Sequence, residues 1–142
     1  MSSNAVKMQW SLFLLILMGQ VIFVMCVASK DKMQLISQNK TWKEALDYCR
    51  EKHLDLVSIT NQKQQESVQK EVEEAETDFI WLGLRYTCTL DIWFWVSGEV
   101  LNYENWNSTQ SPDCYSAAAM NTTDYKWVKK MDNETFNFIC VK

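Results

Sequence analysis

The first clear pattern in the chain is an apolar stripe at helical spacing in residues 41–51. Four residues stand at positions i, i+3, i+4 and i+7, namely Trp42, Ala45, Leu46 and Cys49. This spacing places all four on one face of an α-helix and directs Cys49 toward the core. Thr41 with a glutamate three residues later is the capping-box pattern that begins a helix. The sequence therefore predicts a first helix that starts after Thr41.

A second capping pattern, Asn61 followed by Gln64, predicts another helix that continues to about Ala75. Its inner face is narrow, because the apolar positions in register are only Val68, Val72 and Ala75.

From Phe79 onward the chain changes to short aromatic and β-branched runs, which favour strands. These runs are F-I-W-L-G-L, I-W-F-W-V, K-W-V and F-N-F-I-C-V, and residues 32–37 form a further short strand. We predict that they build antiparallel sheets. Residues 98–120 are polar, rich in asparagine and contain the only proline, Pro112, so they are expected to form one long loop. Two helices followed by strands predict a single α+β domain.

The N-terminal segment differs from the rest of the chain. Lys7 precedes an apolar run at residues 10–27, and the small residues Ala28 and Ser29 follow it. This order is typical of a secretory signal peptide, so residues 1–29 are predicted to be removed and residues 30–142 to form the exported domain. The alternative is an uncleaved signal anchor with the domain outside the cell, as in a single-pass type II membrane protein.

Two features after Ser29 agree with an oxidising, extracellular environment. Four cysteines remain there, Cys49, Cys88, Cys114 and Cys140, an even number suited to two disulfides. Four glycosylation sequons of the form N-x-S/T begin at Asn39, Asn107, Asn121 and Asn133.

The composition disfavours two functional classes. A formal net charge of −4 argues against nucleic-acid binding. His53 is the only histidine and is expected to lie on the surface, and the three glycines of the chain cannot build a phosphate-binding loop. We therefore expect no catalysis.

Five sequence fragments, in order and covering residues 33–141, resemble the C-type lectin-like domain family. They are residues 39–50 (N-K-T-W-K-E-A-L-D-Y-C-R), 54–61 (L-D-L-V-S-I-T-N), 81–84 (W-L-G-L), the W-x-W of Trp93 and Trp95 with Asn105-Trp106, and 138–140 (F-I-C). The resemblance implies a C-type lectin-like fold held by disulfides.

The resemblance also implies a disulfide between Cys49 and Cys140. In the family's second disulfide, Cys114 matches one partner, but the other position, eight residues before the last cysteine, holds Asp132. Since Cys88 is the only cysteine of the exported part that remains, we predict that it pairs with Cys114.

The resemblance implies a calcium and sugar site in the long loop, and the residues there depart from the family pattern. The loop motif is broken in residues 110–113 (Q-S-P-D), the acidic position holds Pro112, and Val128 and Lys129 stand where Asn and Asp belong. Calcium requires six to eight oxygens, several of them charged. We therefore predict no metal and no cofactor.

Core packing is expected for Trp106 and Trp127.

The sequence thus predicts a recognition module for a protein or glycan ligand, which does not use the family's calcium site. The candidate ligand-binding residues are Gln110, Asp113, Asp124, Lys126 and Lys129, with Lys130 nearby. One alternative is a divergent calcium-dependent lectin that uses Gln110, Asp113 and Asp124, and another is an ice-binding protein. A homodimer is compatible with the sequence, and a membrane contact is expected only with an uncleaved anchor.

Overall fold

The computed structural model describes residues 32–108 and 111–142. The predicted signal peptide, residues 1–29, and the candidate ligand-binding residue Gln110 lie outside the described residues. Neither α-helix in the described part of the chain is long and apolar enough to cross a membrane.

The described residues form two α-helices, a short 3-10 turn and one sheet. In chain order the elements are β1 (Met33–Lys40), α1 (Trp42–Glu51), β2 (Asp55–Leu56), α2 (Gln62–Glu71), the 3-10 turn (Val72–Glu74), β3 (Phe79–Thr87), β4 (Ile92–Trp95), β5 (Ser116–Asn121), β6 (Trp127–Met131) and β7 (Phe136–Val141).

Helix α1 confirms the prediction made from its apolar stripe. The four residues of the stripe are its buried residues, with Cys49 fully buried. Both halves of the capping box are present, since the Thr41 hydroxyl accepts from the Glu44 N–H and Glu44 Oε1 accepts from the Thr41 N–H at 3.0 Å. These hydrogen bonds with Thr41 lower the pKa of the Glu44 carboxyl, because they favour its charged form.

Helix α2 is shorter than predicted and its inner face is different. It ends at Glu71, and Ala75 lies beyond the 3-10 turn that follows. Val68 and Val72 are buried as expected, and Gln65 is also buried, with only 1% of its surface exposed. An amide on the inner face was not predicted, because polar residues are usually assigned to the solvent side of a helix.

The sheet is mixed: the predicted antiparallel pairing is found between most neighbouring strands, and one pair differs from it. Its strand order is β1-β7-β3-β5-β6, with β2 beside β7 and β4 beside β3. Most neighbours are antiparallel, but β3 and β7 run parallel, with Trp81 opposite Phe138. Alternation along a strand shows which side chains face the core, whereas it does not determine the direction of a neighbour distant in sequence.

Two apolar clusters lie on opposite faces of the sheet. The α1-side cluster contains Trp42, Trp81 and Phe138, and the α2-side cluster contains Val68 and Trp127 together with other aliphatic and aromatic residues. The sheet is therefore covered by one helix on each face, and the long loop packs against the α2-side cluster through Leu101, Tyr103 and Trp106.

The predicted loop at residues 98–120 is too long at its C-terminal end. Strand β5 begins at Ser116, and its residues Ala117, Ala118 and Ala119 are fully buried. Alanine has a low strand propensity, so three consecutive alanines give no strand signal in the sequence. Tertiary packing determines the strand, because small side chains fit a sheet that is covered on both faces.

The structure contains both disulfides expected from the resemblance. Cys49 is joined to Cys140 across 91 residues, and Cys88 is joined to Cys114 across 26 residues. Asp132, which stands at the family's cysteine position, instead forms an ion pair with Arg85, with 2.7 Å between Nη2 and Oδ2. Asp132, at the position of the family's missing cysteine, is thus held by an ion pair, while Cys114 forms its disulfide with Cys88.

Gly83 allows β2 and the residues after it to approach β3 closely. Its N–H donates to the Val57 carbonyl at 2.7 Å, and a Cβ at this position would lie 2.6 Å from the Leu56 carbonyl oxygen. We expect Gly83→Ala to lower the free energy of unfolding by about 1–2 kcal/mol, because the buried backbone must move to accept the methyl group.

Urea unfolding would measure this effect. Ser67→Ala, an exposed change on α2, is the control and should alter the free energy of unfolding by less than about 0.5 kcal/mol. An unchanged urea midpoint for Gly83→Ala would contradict the close approach.

Candidate functional site

Lys129 connects the edge strand β6 to the long loop. It lies opposite Ala118 of β5, and Ala118 belongs to the α2-side cluster. The Lys129 ammonium nitrogen donates a hydrogen bond to the Ser111 carbonyl oxygen at 2.6 Å. The structure therefore places Lys129 against the loop.

The neighbouring lysine does not belong to this face. Lys130 Nζ lies 4.0 Å from the ring centroid of Phe79 and 5.9 Å from that of Phe136, and both phenylalanines pack on the α1-side cluster. Successive side chains of a strand point to opposite faces. Lys130 was expected near the long loop, and the structure instead places it on the opposite face of the sheet.

A second lysine joins the loop to the β5–β6 turn. Lys126 Nζ donates to Asn105 Oδ1 at 3.1 Å, and the Asn105 amide donates to the Tyr125 carbonyl at 2.9 Å. Tyr125 has a φ of 61°, a left-handed conformation that costs energy for a residue with a side chain. Asn105 supports this turn and holds Lys126 at the surface.

The two predicted aspartates are engaged in local turns. Asp113 Oδ1 accepts from the Tyr115 N–H and from the Ser116 hydroxyl, each at 3.0 Å, where β5 begins. Asp124 Oδ1 accepts from the Lys126 N–H at 3.0 Å. These are common turn contacts of aspartate. Within residues 32–108 and 111–142, no three Asp, Glu, His or Cys side chains are grouped as a metal site.

The buried side-chain amide of Gln65 makes hydrogen bonds with residues close to the candidate ligand-binding residues. The fully buried Trp127 donates its indole N–H to Gln65 Oε1 at 3.0 Å. Gln65 Nε2 contacts Tyr125 O at 3.2 Å and Gln69 Oε1 at 3.0 Å. Gln65 therefore fixes α2 to the start of β6. The only sequence signal for it was an amide at a position in register with Val68 and Val72.

Aromatic rings pack between the loop and the sheet. Trp106 lies 4.8 Å from Trp93 and 5.7 Å from Trp127 between ring centroids, and Tyr103 lies 5.8 Å from Trp127. Trp127 is core, as predicted, and Trp106 is partly buried on the same cluster. Burial, with a smaller effect from Glu66, raises the pKa of the Tyr103 hydroxyl. Tyr103 therefore remains a neutral hydrogen-bond donor at physiological pH.

Two sequons border the candidate face. Asn107 is exposed and its N–H donates to the Trp127 carbonyl, whereas Asn121 is half-buried and its N–H donates to the Lys126 carbonyl. Asn39 and Asn133 are exposed elsewhere, on β1 and in the β6–β7 turn. Glycosylation at the four sites remains a prediction.

His53 is exposed at the end of α1, as expected.

The architecture now defines a class of protein. One helix packs on each face of a mixed sheet, and a disulfide joins the first helix to the last strand. With the long loop beside the final strands, this is a C-type lectin-like fold. The chain belongs to the C-type lectin domain family, because residues 38–142 match the family model described as Lectin C-type domain.

The curated relatives include snaclecs of Macrovipera lebetinus. Snaclec A4 is 31% identical over 119 residues, which cover 75% of this chain and 74% of the relative. Snaclec A8 is 32% identical over 113 residues, which cover 71% of this chain and 83% of the relative. These relatives therefore share the C-type lectin-like domain with this chain.

Solved structures share the fold at low sequence identity. Human lithostathine superposes with a TM-score of 0.72 at 22% identity, covering 78% of this chain and 82% of that chain. The carbohydrate-recognition domain of mouse scavenger receptor C-type lectin gives a TM-score of 0.69 at 24% identity, covering 80% of this chain and 89% of that chain. At these identities the likeness concerns the fold.

Proposed function

We propose that the protein is an extracellular recognition module that binds a protein or glycan ligand without calcium. The proposed binding surface, which we call the long-loop face, is formed by Asp113, Asp124, Lys126 and Lys129. The observation that carries this proposal is the contact of Lys129 Nζ with the Ser111 carbonyl oxygen. A carbonyl oxygen is a common calcium ligand, and here a protein ammonium group already donates a hydrogen bond to it.

The residues at the family's calcium positions do not fit the ion. Pro112 and Val128 offer no side-chain oxygen, and Lys129 brings a positive charge. At a separation of about 4 Å and an effective dielectric near 20, two unit charges interact by roughly 4 kcal/mol, and a divalent ion doubles this repulsion. The turn contacts of Asp113 and Asp124 further reduce the oxygens that could offset it.

The face that remains has the character of a binding surface. Lys126 supplies an exposed positive group whose position is fixed by Asn105, and Tyr115 is 63% exposed beside Asp113. Such groups on a disulfide-bonded scaffold recognise polar ligands with little ordering cost. Snaclec relatives are secreted, and disulfides persist outside the cell, which supports an extracellular location.

Millimolar calcium is expected to leave the melting temperature of the protein unchanged. An ion that does not bind the native state cannot stabilise it. Differential scanning calorimetry with calcium and with chelator measures the effect. A rise of several degrees that is lost in Asp113→Ala would reject the proposal and favour the calcium-dependent lectin.

Ligand binding is tested with a labelled tetramer of the protein on a glycan array and on cultured cells, in the presence of chelator. Lys126→Ala and Lys129→Ala should weaken any binding that the tetramer shows. Lys130→Ala, which removes the same charge from the opposite face, is the matched control and should have no effect. Binding that disappears in chelator, or that responds equally to all three changes, would contradict a calcium-free site at this face.

A further inference from the structure

A groove of about 570 Å³ lies along the β3–β4 hairpin and reaches the loop at Cys114. Its lining includes Thr87, Leu90, Ile92 and Phe94, and the Cys88–Cys114 disulfide closes one end. We call this feature the hairpin groove. The function proposed above does not use it.

The hairpin groove concentrates exposed apolar surface. Leu90 is 68% exposed, Ile92 48% and Phe94 37%, and these are three of the six large hydrophobic side chains exposed in the described part of the chain. Clusters of this kind on a soluble domain mark interaction sites, whereas single exposed apolar residues do not.

Strand register places the hairpin groove on the α1-side face of the sheet. Phe94 lies opposite Arg85, and Arg85 lies opposite Ala117, which belongs to the α1-side cluster. Lys129 is on the other face, opposite Ala118. Lys129 and the exposed apolar side chains of the hairpin groove therefore lie on opposite faces of the sheet, although Cys114, between Asp113 and Tyr115 of the loop, also lines the groove.

The outer edge of strand β4 is free at Trp93, whereas the Trp95 carbonyl accepts a hydrogen bond from the Gly98 N–H at 3.0 Å. Among the described residues β4 pairs with β3 alone. The Val96 N–H donates to the Gly83 carbonyl at 2.9 Å, so the alternation of an antiparallel ladder directs the N–H and C=O of Trp93 away from β3. An unpaired strand edge beside apolar side chains is the surface to which an extended peptide adds.

The charge and the size of the hairpin groove restrict which ligand it can bind. Arg85 is the charged residue that lines the hairpin groove, and its ion pair with Asp132 at 2.7 Å neutralises it, so the groove favours an uncharged ligand. A stable dimer buries roughly 1,200–2,000 Å², more than three partly exposed side chains provide.

We propose that the hairpin groove binds an extended apolar segment of a partner protein, which adds as a strand to β4. Apolar side chains at alternate positions of the segment contact Ile92 and Phe94, and its backbone pairs with Trp93. No sequon falls on the β3–β4 hairpin itself.

The test is selection of a random heptapeptide phage library on the immobilised protein. We expect enrichment of peptides with apolar residues at alternate positions, and fluorescence anisotropy then gives the dissociation constant of an enriched peptide. Ile92→Thr combined with Phe94→Thr should weaken that peptide about tenfold or more, since the substitutions keep strand propensity and remove the apolar contacts. If this double variant does not fold, Leu90→Ser replaces it.

Met131→Thr is the matched control, because Met131 is 40% exposed outside the hairpin groove and its replacement should leave the affinity unchanged. Lys129→Ala should also leave it unchanged, which separates this site from the long-loop face. Absence of enrichment, or equal binding to the double variant, overturns the proposal. A dimer in light scattering that becomes a monomer in the double variant also overturns it, because a second copy would then be the occupant.

Discussion

Replacing Cys49 and Cys140 together by alanine is expected to lower the free energy of unfolding by about 4–5 kcal/mol. The bond closes a loop across 91 residues, and loop-closure entropy of the unfolded chain increases with loop length. Both cysteines are fully buried, between α1 and β7, so the removed sulfur atoms also leave unfilled space. Urea unfolding of the purified variant measures the loss, and a lower secreted yield should accompany it.

The double change of Cys88 and Cys114 to serine is the comparison. Its loop spans 26 residues, for which the same relation gives about 3.5 kcal/mol as an upper value. Both of these cysteines are exposed, so serine replaces them without burying a polar group. If removal of the Cys88–Cys114 bond destabilised the protein as much as removal of the Cys49–Cys140 bond, our assignment of the core disulfide would be wrong.

Gln65→Leu is expected to lower the free energy of unfolding by about 2–3 kcal/mol, although leucine is apolar and similar in size. The cost arises because the indole N–H of the fully buried Trp127 loses its acceptor. The Tyr125 carbonyl retains the hydrogen bond from Asn105. The indole of Trp95 already has no side-chain hydrogen-bond partner within the described residues, so the variant would add a second buried indole without an acceptor.

Gln69→Leu is the matched control. It removes the acceptor of one Gln65 hydrogen bond and leaves the Trp127 contact intact, so the loss should stay below about 1 kcal/mol. Thermal unfolding followed by tryptophan fluorescence reports both variants. A Gln65→Leu protein as stable as the wild type would show that the buried amide does not hold Trp127.

The sequence predicted the parts of the fold that depend on local patterns. Helix α1 followed from its capping box and apolar stripe, and the disulfides followed from the family resemblance together with the displaced cysteine position. Strand β5 and Gln65 were not predictable in this way, since buried alanines and a buried amide depend on partners distant in the sequence. The parallel pairing of β3 and β7 has the same cause.

The candidate site was predicted in part. Lys129 reaches the loop as its position suggested, whereas Lys130 does not, and the alternation of a strand could have separated these two neighbours. Asp113 and Asp124 were chosen for their charge, yet their oxygens accept hydrogen bonds from nearby backbone groups. Chemistry read from residue types alone misses such contacts, because turn geometry determines which oxygens remain available.

The position of Cys140 has a consequence for biosynthesis. Cys140 follows every other cysteine in the chain, so Cys49, Cys88 and Cys114 all leave the ribosome before the partner of Cys49 does. During translation Cys49 is therefore a thiol without its native partner, next to two cysteines with which it must not pair. The contact between the hairpin and the loop can form first and protect Cys88 and Cys114 as a disulfide. Closure of the domain by β7 then becomes the last covalent step, and a delay at that step would favour non-native disulfides in the secretory pathway.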